Sequence, residues 1–398
     1  MFQRIKKGTI LATLLFCATL YLACSDPNPP FSVEGIASHV TAENDSIIRT
    51  SILGNDQGRQ TSSDIYLDFP ADSFLTKFKI GDIVTVAIVN YDTLEIPVVE
   101  SSYDVPIAGF SLLARTGSEH LILSIHYGEL ADILGLTNEK TPIDVTITLK
   151  DKGGYEFGLD IMQNAQYLST YKESYPNLSI EEFANFREVR TTGMGQHKLY
   201  RSSSPIDLSL GRNLYADSLA KEAGVATFIN LADAKDNAKT FEDFEGSYYS
   251  TQNTIFLGLP VEFFSTSFEK GLVTGFRYMI EHEGPYLVHC TYGMDRTGFT
   301  IAVLEALMGA TVEDIQADYA KTFSNYYNIV NSKQVSLNEQ QVEFFKNVVI
   351  RNLRAVFHAE GIDVPETANA DWASATEQYL QKLGMTAEEI SALKEKLK

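Results

Sequence analysis

A cysteine and an arginine, separated by five residues, stand in one short segment with the sequence HCTYGMDRTG. Cys290 offers a sulfur nucleophile, and Arg296 offers a planar fork that fits two oxygens of a phosphoryl group. Thr297 follows the arginine, and its hydroxyl could hydrogen-bond the sulfur and stabilise it as a leaving group. These residue types at this spacing suit phosphoryl transfer through a cysteinyl-phosphate that water later hydrolyses.

The flanking residues predict the elements that position this segment. The apolar run at 286–288 predicts a buried strand, and the apolar residues at 299–308 predict a buried helix that ends at Gly309. A loop from a strand into a helix N-terminus points backbone N–H groups into one concavity, where the helix dipole attracts anions and favours a thiolate. Gly293 lets the backbone approach a ligand closely. The predicted phosphate-binding residues are Thr291, Tyr292, Gly293, Met294, Thr297 and Gly298.

The segment resembles the HCxxGKDRTG loop of a bacterial branch of the cysteine-dependent protein tyrosine phosphatases, which includes tyrosine-specific, dual-specificity and phosphoinositide phosphatases. ANFREVR…KLYRSSSP, starting at Ala184, resembles the NFRDxGG…LYRS opening of that branch, with Arg190 and Thr191 in place of the double glycine. The resemblance extends through the C-terminal helices and covers about residues 180–398. It implies a phosphatase domain at 181–398 that acts on a phosphorylated protein or small phosphomonoester and uses no cofactor.

The resemblance also implies roles for three catalytic residues. Cys290 is the nucleophile, Arg296 binds the phosphoryl oxygens, and Asp295 occupies the position that this branch uses for a general acid. Proton donation to a leaving oxygen accelerates such reactions ~10²–10⁴-fold. Classical tyrosine phosphatases place this acid about thirty residues upstream, where the chain reads GLPVEFF. Glu262 is therefore a second candidate for the acid, followed by Asp233 and Asp236.

Two further residues are expected to support the loop, and two depart from the pattern of the branch. His289 is expected to fix the loop and tune the thiolate. Arg201 is expected to orient the loop or a substrate anion, with a structural ion pair as the alternative. Met294 replaces the usual lysine, which removes a charge that favours multiply phosphorylated lipids or inositols. Tyr292 could stack on a substrate ring or form a wall of the site.

These departures favour phosphotyrosine or mixed phosphoprotein substrates, so the predicted enzyme is a protein tyrosine or dual-specificity phosphatase. Phosphoinositides or inositol phosphates are the second choice of substrate. A catalytically silent phosphate-binding module is a third possibility. Arsenate reductases use related loops but need additional resolving cysteines, and the mature chain is expected to keep only one free thiol, that of Cys290.

The net charge of −20 argues against a nucleic-acid partner, because nucleic-acid binding requires a basic face. The seven histidines are scattered, and no HExxH or CxxC pattern predicts a metal site.

The N-terminus carries the features of an export signal. Arg4, Lys6 and Lys7 precede a mostly apolar run of about fifteen residues, which is too short for a comfortable membrane span. Leu22-Ala23-Cys24 resembles the end of a bacterial lipobox. These features predict a signal peptide at 1–23 and a lipid-bearing Cys24 on a tether at 24–35. The protein would be anchored in the membrane of the bacterial cell envelope, on the periplasmic or outer surface.

The remaining residues predict two regions of different architecture. Residues 36–155 contain short β-prone runs separated by turn residues, which indicates a small barrel or sandwich. Residues 156–180 are expected to form a connector. From 181 onwards, strands and helices alternate, which indicates a largely parallel sheet covered by helices. The predicted fold class is therefore α/β, with a cysteine-phosphatase-like parallel or mixed sheet preceded by a β-rich domain.

Overall fold

The computed structural model describes residues 31–32, 47–53, 64–136, 142–165, 168–365 and 370–398. Signal peptide residues 1–23 and the predicted lipidation site Cys24 lie outside these ranges. Within the predicted tether, Phe31–Ser32 forms a short strand that pairs with Thr93 and Leu94, so this part of the tether is extended along the β domain. No helix among the described residues is both long enough and apolar enough to cross a membrane.

The N-terminal part is a closed barrel of seven strands with one additional short strand at its outside. Its strands are β1 (Phe31–Ser32), β2 (Ile47–Ile52), β3 (Ile65–Leu67), β4 (Ile83–Ile88), β5 (Thr93–Val99), β6 (Phe110–Leu113), β7 (Leu121–Ile125) and β8 (Ile143–Asp151). The order is β5-β4-β8-β2-β3-β7-β6, and a parallel pair between β5 and β6 closes the ring. Closure removes exposed sheet edges. Of the two predicted architectures, a barrel or a sandwich, the structure shows the barrel.

The second part contains a five-stranded sheet in which the site-bearing strand is central. Its strands are β9 (Arg187–Glu188), β10 (Leu199–Ser202), β11 (Thr227–Asn230), β12 (Asn253–Phe256) and β13 (Tyr286–His289). They run in the order β12-β11-β13-β10-β9, and all neighbours are parallel except β9, which is antiparallel to β10. A separate hairpin joins β14 (Ile329–Val330) and β15 (Lys333–Gln334). The sheet is therefore mixed and largely parallel, as the strand–helix alternation predicts.

Helices occur in both parts of the molecule, and the first two lie between strands of the barrel. They are α1 (Ala71–Leu75), α2 (Leu130–Ile133), α3 (Glu156–Asp160), α4 (Ile180–Phe183), α5 (Asn213–Glu222), α6 (Lys235–Ala238), α7 (Thr266–Glu281), α8 (Asp295–Leu307), α9 (Val312–Ser324), α10 (Glu339–Ala359), α11 (Trp372–Lys382) and α12 (Ala387–Leu397). Helix α8 is buried on all sides from Thr297 onwards. It begins at Asp295, four residues earlier than its apolar run predicts.

Helix α10 joins the two parts of the molecule. Its Ala355 belongs to the barrel core, and its Asn352 donates a hydrogen bond to the carbonyl of Ile107 at 3.1 Å. Near its C-terminus, His358 lies between Asp92 of the barrel and Asp363, with nitrogen–oxygen distances of 3.0 and 2.6 Å. The barrel is therefore packed directly onto the helical layer, close to the phosphate loop. The exact division into domains at 155 and 181 stays a prediction.

Candidate active site

The central strand delivers Cys290 to the N-terminus of a buried helix. Strand β13 pairs with β10 on one side and β11 on the other, and it ends at His289. Cys290 is 3% exposed, and its thiol is not part of a disulfide. Helix α8 starts at Asp295, so the N–H groups of Asp295, Arg296 and Thr297 have no acceptor within the helix. An anion beside Cys290 would therefore meet several backbone donors and the positive end of the helix dipole.

Hydrogen bonds to the loop carbonyls fix the direction of its peptide planes. The carbonyl of Thr291 accepts from the N–H of Ser204 at 3.0 Å, and that of Tyr292 accepts from the Tyr326 hydroxyl at 2.7 Å. The carbonyl of Gly293 accepts from Arg201 at 2.8 Å. In a planar trans peptide, the carbonyl and the next N–H point in opposite directions. The three following N–H groups therefore face away from this supporting layer, towards the concave side of the loop.

A buried ionic cluster holds the supporting layer in place. Arg201 is fully buried and pairs with Asp318 of α9 at 2.5 Å, while Arg187 binds the other carboxylate oxygen at 2.6 Å. Asn185 accepts from Arg187 at 2.8 Å and donates to the carbonyl of Gly293 at 3.1 Å. Burial raises the pKa of Asp318, but the charges of the two arginines hold it below its usual range. Arg201 thus combines both expectations, because it forms an ion pair and also orients the loop.

We expect replacement of Asp318 by asparagine to lower the free energy of unfolding by about 3–5 kcal/mol, because the buried guanidinium of Arg201 and the nearly buried one of Arg187 lose their counter-charge. The carboxylate is ionised in the fold at neutral pH, so its contribution is present above its unfolded pKa and is lost as the pH falls through the lower folded value. Urea unfolding at pH 7 measures the loss. Asp236→Asn, the same change at an exposed aspartate, is the control and should alter stability little. Equal stability of the two variants would contradict a supporting role for Asp318.

Gly293 is required by both its backbone angle and its surroundings. Its φ is +66°, and a Cβ atom there would lie 2.0 Å from the carbonyl oxygen of Ser202. The loop therefore passes directly against the end of β10, which explains the glycine at this position.

Asp295 and Arg296 stand at the rim of the loop. Burial raises the pKa of Asp295 to about 6, although the charge of Arg296 opposes this shift. Arg296 is partly exposed, and its Nη1 donates to the carbonyl of Leu259 at 2.8 Å. That contact anchors the guanidinium beside the segment that follows β12. A carboxyl group and a guanidinium that interact electrostatically therefore stand side by side in the first turn of α8, which follows the cysteine loop.

The other candidate acids occupy different places. Asp233 is partly buried and lies within electrostatic reach of Arg296; burial raises the pKa of Asp233, opposed by a hydrogen bond from Asn230. Asp236 is exposed. The pKa of Glu129 of the barrel is raised mainly by a hydrogen bond with Asp132 and by burial, and the nearby charge of Glu262 adds a smaller contribution. The structure therefore places Asp295 and Asp233 near the arginine and directs Glu262 towards the barrel.

His289 is a neutral, buried ring in a row of hydrogen-bonded polar side chains. Its Nε2 lies 3.0 Å from the Tyr249 hydroxyl, and Asn230 donates to the same hydroxyl at 3.1 Å. Burial lowers the pKa of His289 to about 3, so the ring is uncharged at neutral pH. This arrangement fits a residue that holds the start of the loop and does not carry a proton during the reaction.

In three residues of the predicted phosphate-binding set, one group each is engaged or placed away from the ligand position, although the N–H groups of Met294 and Thr297 stay available to an anion. The N–H of Gly298 donates to the carbonyl of Met294 at 2.7 Å, so it is used inside α8 and does not face the loop. The side chain of Met294 is buried, with its sulfur 3.4 Å from the hydroxyl of Tyr327. Within the described structure, the buried Thr297 hydroxyl has no hydrogen-bond partner, so the expected bond to sulfur is absent here. The bond made by the Gly298 N–H follows from the start of the helix at Asp295.

Sequence reasoning missed most of the supporting residues. Asn185, Asp318 and Tyr326 lie inside segments that carry the family resemblance, but nothing in their types indicated contact with the loop. Tyr249 and Asn230 lie in unremarkable segments. One feature of the sequence could have indicated such supporting residues: a polar residue at the end of an otherwise apolar strand, as at Asn230. Among the described residues, no group of three or more His, Cys, Asp or Glu side chains is arranged to hold a metal ion.

A largely parallel sheet whose central strand brings a cysteine to a helix N-terminus, six residues before an arginine, defines a phosphatase-type domain. The model of the tyrosine phosphatase family matches residues 178–398, which is more than half of the chain. The protein therefore belongs to the tyrosine phosphatase family. This membership supports a phosphatase hydrolase that acts on a phosphorylated substrate.

Other comparisons add little. No curated protein matches the chain. Among solved structures, an uncharacterized conserved protein from Thermotoga maritima is 15% identical, with 29% of this chain and 41% of that chain covered and a TM-score of 0.22. The chain thus spans less than half the length of that structure, and the similarity is too low to indicate a shared fold.

Proposed function

We propose that the protein hydrolyses phosphomonoesters through a cysteinyl-phosphate on Cys290, and that phosphotyrosine in proteins is its main substrate class. The observation that carries this proposal is the geometry of the loop. A nearly buried sulfur stands at the end of β13, and three loop carbonyls are tied to a supporting layer, which turns the following N–H groups towards the site. Such preorganised donors stabilise the charge that develops on a transferring phosphoryl group.

The reaction has two chemical steps. The Cys290 thiolate attacks phosphorus as the bond to the leaving oxygen breaks, and the protonated Asp295 gives its proton to that oxygen. Water then attacks the cysteinyl-phosphate, and the Asp295 carboxylate accepts a proton from it. Inorganic phosphate leaves and the thiolate is restored. Arg296 binds two equatorial oxygens in both steps.

Turnover of a substrate panel tests this proposal. Purified full-length protein with EDTA is assayed on p-nitrophenyl phosphate, a phosphotyrosine peptide, a phosphoinositide and an inositol phosphate. We expect turnover inhibited by vanadate and by alkylation of the thiol, with the phosphotyrosine peptide preferred. Preference for the phosphoinositide or inositol phosphate would overturn the substrate class. Phosphate-dependent binding without turnover between pH 5 and 7 would instead indicate a silent binding module.

We also propose that Cys24 carries a lipid that anchors the protein to the membrane of the bacterial cell envelope. The basic N-terminus, the short apolar run and Leu22-Ala23-Cys24 support this proposal. Cys24→Ser should block labelling by a fatty-acid analogue and release the protein from the membrane fraction. Unchanged labelling of this variant would contradict the anchor.

A further inference from the structure

A cavity of about 230 Å³ lies between the barrel and the phosphatase domain. Asp295 of the phosphate loop lines one side, together with Tyr319 of α9 and Tyr327, which follows that helix. The barrel lines the opposite side, and it lies outside residues 178–398, which the family match covers. The cavity therefore joins the rim of the phosphate loop to a surface to which the family match gives no role.

The barrel side of the cavity is a wall of three rings. Tyr103 contacts His126 and Tyr127 edge-to-face, at centroid distances of 5.0 and 6.0 Å, and His126 contacts Tyr127 at 4.7 Å. His126 Nδ1 lies 2.6 Å from the carbonyl of Val105, and burial lowers the pKa of His126, so this ring is neutral at neutral pH. The two tyrosines are 62% and 44% exposed. The wall thus presents uncharged aromatic surface.

We propose, on the basis of the proposed function, that this cavity is the leaving-group subsite and that it holds the aromatic ring of a phosphotyrosine side chain against the Tyr103–Tyr127 wall. A general acid must come within about 2.6–3.2 Å of the oxygen that it protonates. The group attached to that oxygen must then lie on the side to which the acid is exposed. Asp295 lines this cavity, so the leaving group extends towards the barrel.

The chemistry of the lining selects the class of leaving group. None of the described residues that line the cavity is a lysine or an arginine, and Asp295 is its one carboxyl group. A second phosphate on an inositol ring would therefore meet a carboxyl group without a compensating cation. The volume is below the ~300–1,000 Å³ of sites for drug-sized ligands, and it suits a single ring. Offset or edge-to-face contact with the wall would favour an aromatic ring over an aliphatic group.

Truncation of the wall in the full-length protein tests this subsite. Tyr103→Ala and Tyr127→Ala should each lower kcat/KM for a phosphotyrosine peptide by roughly 2- to 10-fold, mainly through KM, and the double variant should lose more. Tyr127→Phe keeps the ring, so its kcat/KM should fall less than that of Tyr127→Ala. Tyr171→Ala removes another exposed tyrosine and serves as the matched control. The inhibition constant of orthovanadate, which occupies only the phosphate loop, should be the same in all variants.

Two results would overturn the subsite while the proposed phosphatase stands. One is an unchanged kcat/KM in the double variant. The other is a loss of vanadate affinity that parallels the loss of activity, because that pattern would indicate a structural effect on the loop. If the wild-type protein turned over no phosphomonoester at all, both the proposed function and the subsite would be overturned.

Discussion

Replacement of Cys290 by serine is expected to lower turnover of any phosphomonoester by roughly 10⁴-fold or more, because an alcohol at this position is a far weaker nucleophile than a thiolate. The sulfur is also the atom that carries the phosphoryl group between the two steps, so no other side chain can replace it. Initial rates with a phosphotyrosine peptide measure the loss. The fold should survive the change, because serine is similar in size to cysteine and the supporting hydrogen bonds are made by neighbouring carbonyls.

Cys24→Ser makes the same substitution outside the site and is the matched control. It should keep the turnover number of the wild-type protein in detergent. Trapping supplies an independent check: acid-quenched wild-type protein should carry labelled phosphate from a labelled substrate, and the Cys290→Ser variant should carry none. Persistent turnover by Cys290→Ser would show that another group attacks phosphorus.

The positions of the loop and its flanking elements could be read from the sequence because their signals are local. The apolar run before Cys290 and the apolar run after Gly298 each specify one buried element. Local chemistry also defines a helix start, because Thr311 and Asp314 form reciprocal hydrogen bonds at the beginning of α9. The start of α8 was missed because Asp295, Arg296 and Thr297 are polar. An apolar pattern marks only the residues that pack, and the first turn of this helix is partly open to the site.

The supporting layer could not be predicted because its partners are far apart in the chain and its acceptors are backbone carbonyls. Asn185 reaches the carbonyl of Gly293 across 108 positions, and Tyr326 reaches the carbonyl of Tyr292 across 34. Every residue has a carbonyl group, so sequence carries no mark of which ones accept. The aromatic wall was missed for a related reason. Tyr103 and Tyr127 become relevant only because α10 packs the barrel against the phosphatase domain.

Asp295→Asn is expected to lower kcat for a phosphotyrosine peptide by about 10²–10³-fold, within the range that general acid catalysis contributes. The loss on p-nitrophenyl phosphate should be much smaller, because p-nitrophenolate leaves without a proton. The acid must be protonated to act, and burial raises the pKa of Asp295 to about 6. The kcat of the wild-type protein should therefore fall as the pH rises through about 6, and the variant should lack this fall.

Controls at Asp233 and Glu262, two of the three other candidate carboxyl groups, test which group donates the proton. Asp233→Asn and Glu262→Gln should each lower kcat less than about threefold. If Asp233→Asn instead lowered kcat strongly for the phosphotyrosine peptide and only slightly for p-nitrophenyl phosphate, Asp233 would be the proton donor. Stability separates a lost proton donor from a damaged fold. The folded pKa of Asp295 lies above its unfolded value, so the protein loses stability as the pH rises through about 6. Asp295→Asn should remove that loss, and the variant should be at least as stable as the wild-type protein at pH 7.5 while it is far less active.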